Sequence, residues 1–150
     1  MNHATTPLRD SAFMQAFLDM AIPASEDAKM PSAGSLDLSS GVADQIEADA
    51  MLGPFVQAGL QAVHDAAVAL DREGFAGLSP AARVEVVEGQ LVAHPLLMMG
   101  IARHVYPAYY QHPRVLEGLG EPARPPVPGG FEIEPTDPRL LEKLHNRRRI

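Results

Sequence analysis

Apolar positions recur at helical spacing along most of the chain, and Gly or Pro punctuates the stretches. Phe13, Phe17 and Met20 fall at i, i+4 and i+7, with Leu18 beside them, and predict a first helix from about Asp10 to Ala21. Asp10 or Ser11 can cap it, and Pro23 stops it. Residues 24–40 are rich in Ala, Ser, Asp, Pro and Gly and read as a loop. A second helix is expected over Val42–Leu52, with Val42, Ile46 and Asp49/Ala50 in register. Gly53-Pro54 then interrupts and restarts the pattern, because Pro suits the first turn of a helix.

The third helix, Pro54 to about Glu73, carries the longest stripe: Phe55, Val56, Gly59, Leu60, Val63, Ala67 and Leu70. Gly74 is placed to terminate it. Ser79-Pro80 reads as an N-cap followed by Pro at the first helical position. The helix it opens runs through Val84, Val87 and Leu91. A fifth helix, Pro95 to about Gln111, is apolar nearly all round at Leu96–Met99 and Ile101, so it is expected to be the central, most buried one. Pro107 should kink it or end its regular part. Pro113–Leu119 predicts a further turn or two, closed by Gly120. No stretch alternates as a strand does. The pattern predicts an all-α fold, a bundle of five to six helices over residues 1–120.

Beyond residue 120 the character changes. Pro122, Pro125, Pro126, Pro128, Pro135 and Pro138, with Gly129 and Gly130, predict an extended, Pro-rich C-terminal arm over residues 121–150. Thr136-Asp137-Pro138 can cap a short last helix, Arg139 to about Arg147, with Leu140, Leu141 and Leu144 on one side. An arm bearing Phe131 and Ile133 either packs back on its own bundle or wraps a partner. Its prolines lower the entropy lost on ordering in either case.

Composition narrows the chemistry. One hundred and fifty residues suit one domain, and 46% hydrophobic with 21% charged residues suits a packed core. Aromatics are 5% and Trp is absent, so the core is expected to rest on Leu, Val, Ala and Met. With no Cys, disulfides, thiolate metal sites and a Cys nucleophile are excluded. The net charge of −7 argues against nonspecific binding to nucleic acid or anionic membranes. No apolar run approaches the ~20 residues of a membrane span. The start has neither a twin-arginine nor a secretory signal pattern, so a cytoplasmic location is expected, or a periplasmic one if a signal was removed or a partner exports the chain. Residues 1–100 carry a net −9 and residues 101–150 a net +2, a hint of two contact surfaces that uneven sampling of a solvated surface also explains.

No catalytic motif is present. His94, His104 and His112 cluster in sequence but lack the i, i+4 spacing of a helical metal site. They read first as helix-end and interface histidines. A His-based metalloenzyme using His104 or His112 is the weaker alternative. His64-Asp65 are neighbours and should point to different faces, which disfavours a catalytic dyad. Asp44, Glu47 and Asp49 read as a solvated polar face, Met98-Met99 as adaptable core filling, and Arg147-Arg148-Arg149 as a solvated terminus. There is no Gly-rich phosphate loop, and Gly118-Leu119-Gly120 is too short to make one.

A set of short motifs does carry a resemblance. Ile22-Pro23, Pro31-Ser32-Ala33-Gly34 and Phe75-Ala76-Gly77-Leu78-Ser79-Pro80 precede Tyr109-Tyr110-Gln111-His112-Pro113. Then follow Leu119-Gly120, Pro125-Pro126-Val127-Pro128-Gly129-Gly130-Phe131 and Pro135-Thr136-Asp137-Pro138-Arg139-Leu140-Leu141. In order and spacing, over about residues 11–145, this resembles the gluconate 2-dehydrogenase subunit 3 family. The resemblance implies a small accessory subunit with no catalytic, cofactor or metal residues of its own. Its partner would be a large FAD-dependent oxidoreductase of the glucose–methanol–choline type, which holds the FAD and oxidises a hydroxyl of a sugar, sugar acid or glycoside. The small subunit would assist assembly and stability. Two departures stand out: the twin-arginine signal of many members is missing, and Glu121 replaces the usual aromatic after Leu-Gly. The expected partner interface comprises Tyr109, Tyr110, His112, Pro113, Pro125, Pro126, Pro128, Phe131, Asp137, Pro138, Leu140 and Leu141. Such an obligate interface would bury on the order of 2,000 Å² or more. The alternative is a stand-alone helical adaptor or homodimer with no flavoprotein partner.

Overall fold

The structure is a computed structural model and describes residues 6–123. The Pro-rich arm and its terminal helix, expected from residue 121 onward, lie almost wholly outside the described residues. Those residues form an all-α fold: α1 (Ser11–Ala21), α2 (Ser39–Ala48), α3 (Gly53–Leu70), α4 (Pro80–Gln90), α5 (Leu97–Tyr110) and α6 (Pro113–Gly118). Short 3-10 turns at Pro7–Arg9, Ala33–Ser35 and Gly74–Gly77 join them.

Local chemistry sets the helix starts. Asp10 caps α1, its Oδ1 accepting the N–H groups of Ala12 and Phe13 at 3.0 and 3.2 Å. Ser79 Oγ accepts the Ala82 N–H at 3.3 Å and Pro80 fills the first position of α4. Two helix ends fall short of the pattern, and an aspartate explains each. α2 stops at Ala48 rather than Leu52 because Asp49 turns its carboxylate onto the N–H groups of Met51 and Leu52, which sets the entry to α3. α3 ends at Leu70 rather than near Glu73. Asp71 swings into extended backbone and its Oδ1 takes the Glu73 N–H at 2.7 Å. Gly74, at φ +64°, then opens the 3-10 turn instead of closing the helix. The expected loop over 24–40 contains both the Ala33–Ser35 turn and the start of α2.

The hub is α3, not α5. It packs against α2, α4, α5 and the turns at Pro7–Arg9 and Gly74–Gly77. Val56, Gly59, Leu60, Val63 and Ala67 are its buried face, whereas Phe55 and Leu70 at its ends are exposed. α3 and α5 approach closely through a reciprocal fit. Gly59 on α3 faces Leu97, and Gly100 on α5 faces Val56. A side chain at either glycine would occupy space the partner helix already fills. On α4 the inward pair is Val86 and Val87, and Val84 is exposed. The core rests mainly on Leu, Val and Ala, with Met14, as the composition predicts, and four of the aromatics join it. Phe13, Phe17 and Phe75 form a triangle with ring centroids 5.4–6.0 Å apart, and Tyr109 is buried with them in the same core.

Candidate functional site

Helix α5 has one face tied into the body and one turned outward. Inward go Leu97, Gly100, Ile101, His104, Val105 and Tyr109, so the helix is amphipathic rather than apolar all round. It runs through Pro107 to Tyr110, with the Arg103 carbonyl losing the N–H that a non-proline residue would have supplied.

Two polar ties hold the inner face. The first joins it to the α2–α3 junction. His104 Nε2 lies 3.1 Å from Asp49 Oδ2. A carboxylate only accepts, so the ring donates from Nε2. Arg103 Nε approaches the same oxygen at 3.6 Å, while Asp49 Oδ1 receives the Met51 and Leu52 N–H groups. The Leu52 N–H first, then the Met51 N–H, His104 and Arg103, hold the Asp49 carboxyl below the usual carboxylate range. Asp49 is therefore a junction residue, not part of a solvated acidic face. Asp44 and Glu47 are not free either, since both pair with Arg9. The second tie is the Tyr109 hydroxyl, which donates to the Pro31 carbonyl at 2.7 Å across the molecule. Burial raises the pKa of this phenol.

The outer face carries Met99, Arg103, Tyr106 and Tyr110, at i, i+4, i+7 and i+11. Met99, Tyr106 and Tyr110 are each half exposed. The Tyr106 and Tyr110 rings meet edge-on at 6.2 Å, and Tyr110 meets the buried Tyr109 edge-on at 5.2 Å. The outward rings are thereby steadied by a buried one. At the end of α5 the chain turns into α6 through His112, whose Nδ1 accepts the Arg114 N–H at 3.3 Å, a role open only to a neutral ring. Pro113 follows, exposed at the first position of α6.

Of the residues expected to meet a partner, Tyr110, His112 and Pro113 thus come together at one end of the body. Tyr109 differs: it is 1% exposed, and its surface is spent inside the chain. Pro125, Pro126, Pro128, Phe131, Asp137, Pro138, Leu140 and Leu141 lie outside the described residues. The pattern missed Met99 and Tyr106. The signal for them was Arg103, a charge on the same helical row that marks it as the solvent side.

The remaining chemistry is local. His64 and Asp65 do meet, Nδ1 to Oδ1 at 3.2 Å, despite being neighbours, because the ring folds back along the helix surface with its edge on Phe13. Gln61 donates to the same oxygen at 2.8 Å and, with His64, lowers the Asp65 pKa. Among the described residues no three His, Asp or Glu side chains converge as metal ligands would, and no helix is long and apolar enough to cross a membrane. No protein-family model, curated protein or solved structure matches the chain.

Proposed function

We propose that the chain is a non-catalytic small subunit that binds and stabilises a large FAD-dependent oxidoreductase of the glucose–methanol–choline type. In this reading the partner holds the FAD and oxidises a hydroxyl of a sugar, sugar acid or glycoside. The observation that carries the proposal is the outward row of α5, Met99, Tyr106 and Tyr110, backed by a firmly tied inner face. Half-exposed Tyr and Met on a rigid helix have the chemistry of interface anchors. The sequence resemblance to the gluconate 2-dehydrogenase subunit 3 family names the kind of partner. Two of its motifs also meet in space, where the Tyr109 hydroxyl donates to the Pro31 carbonyl.

The subunit would act by mass action, binding only the folded large chain and so shifting its folding equilibrium. A pull-down of the tagged chain, with an absorbance spectrum of the eluate, tests this. The expected result is a co-eluting large protein with flavin bands that bleach on adding sugar. A colourless, monodisperse small protein would overturn the proposal in favour of a stand-alone adaptor.

A further inference from the structure

Helix α6 has only six residues, too few to persist without ties at its ends. Its far end is closed by backbone alone. Gly120, at φ +79°, turns the chain back, so that its N–H reaches the Glu117 carbonyl at 3.0 Å and the Glu121 N–H reaches the Leu116 carbonyl at 2.8 Å. Backbone amides do not titrate, so this end is indifferent to pH. The near end is different, because its cap is an imidazole. His112 Nδ1 accepts the Arg114 N–H at 3.3 Å, and the His112 carbonyl takes the Val115 and Leu116 N–H groups at 2.9 and 3.0 Å. Asp10, Ser32 and Ser79 cap through oxygens, which can accept with or without a proton. A second ring proton instead converts Nδ1 of a histidine from acceptor to donor. It also sets a positive charge at a helix start, where the peptide dipole opposes it.

We propose that His112 is a pH-sensitive latch on α6, closed while the ring is neutral and released as it takes up a proton. Imidazoles do so between about pH 5 and 8, so acid is the loosening direction. The last turn of α5 brings Tyr109 and Tyr110 toward this corner, α6 brings Arg114 and Glu117, and the turn after it brings Glu121. The loop under Gly118 adds Asp27 and Lys29, which pair with each other. Among the described residues no carboxylate comes within ion-pair distance of the His112 ring, so nothing there offsets an imidazolium charge. The latch holds α6 across two parts of the body. Val115 is fully buried, and Gly118 packs on the Lys29 carbonyl and the Met30 sulfur with no room for a side chain. Met30 adjoins Pro31, to which the Tyr109 hydroxyl is tied. Release therefore loosens α6 from the 29–31 loop while the Tyr109 tie keeps α5 in place. Tyr110 and Pro113 flank the latch, so acid reshapes that end of the molecule. The latch is intramolecular and holds whether or not the partner is a flavoprotein.

Nuclear magnetic resonance of the full-length chain from about pH 7.5 to about pH 5 tests this, read at the Cα shifts of Val115–Gly118 and the ring nitrogens of His112. The expected result is helical α6 shifts at the upper end that decay toward coil values in step with protonation of the His112 ring. The open-to-closed ratio of α6 should rise about fivefold, as loss of a cap implies, while the shifts of α1 to α5 hold. His112→Asn supplies a capping oxygen that does not titrate and should keep α6 helical throughout. His112→Ala should leave α6 loosened at both ends of the range. Parent α6 shifts indifferent to pH would overturn the proposal. So would acid loosening that persists in His112→Asn, because it would then belong to another group.

Discussion

Tyr109 illustrates how much one polar atom can hold. Its ring fills the core and its hydroxyl reaches a carbonyl 78 positions away in the chain. Tyr109→Phe keeps the ring and leaves the Pro31 carbonyl without its donor, so it should lower stability by about 1 kcal/mol in a denaturant titration. Asp49 does comparable work with charge, and its effect depends on pH. The fold depresses its pKa, so the ionised form is the one the fold favours. The stability gained is complete above the unfolded carboxylate value, near pH 4, and is lost as pH falls through the lower folded value. Asp49→Asn should therefore flatten the acid limb of the stability curve below about pH 5. Neither contact was legible in the sequence. The caps beside Asp10 and Ser79 lie within a few residues of their targets, but His104 is 55 positions from Asp49, and no local pattern encodes such a pairing.

At the scale of the element, helix starts were readable and helix faces less so. Ser-Pro and Gly-Pro act through their immediate neighbours, and the structure begins α4 and α3 there. Ser79→Ala should cost about 1 kcal/mol through the lost cap, measurable as a lower melting temperature. Faces are decided by which neighbour is present, and that is why Val84, Phe55 and Leu70 turned outward although their spacing put them in stripes. The α3–α5 crossing depends on something subtler than hydrophobicity, the absence of a side chain at two points. Gly100→Ala would press on Val56, and we expect a loss of about 1–3 kcal/mol by chemical denaturation. Gly59 was visible in the sequence as a member of the α3 stripe, but its role as a seat for Leu97 was not.

For the whole molecule, the all-α class followed from periodicity alone, whereas the proposed partner face needed coordinates to separate Tyr109 from Tyr110. Adjacent residues on a helix diverge by about 100°, so one of a Tyr pair can be structural while the other stays free. The two roles can be told apart. Tyr106→Glu with Tyr110→Glu should leave the melting temperature nearly unchanged while abolishing co-elution of the partner. Tyr109→Phe should do the reverse, lowering stability and sparing co-elution. The placement of the tyrosines has one more consequence. All three sit in the last turns of α5, and the chain has no Trp, so its intrinsic ultraviolet emission comes from a single helix end. An unfolding curve followed by that emission records the undocking of α5 alone, while far-ultraviolet dichroism averages over every helix. Whether the two midpoints coincide tells whether α5 leaves the body ahead of the rest or unfolds with it as one cooperative unit.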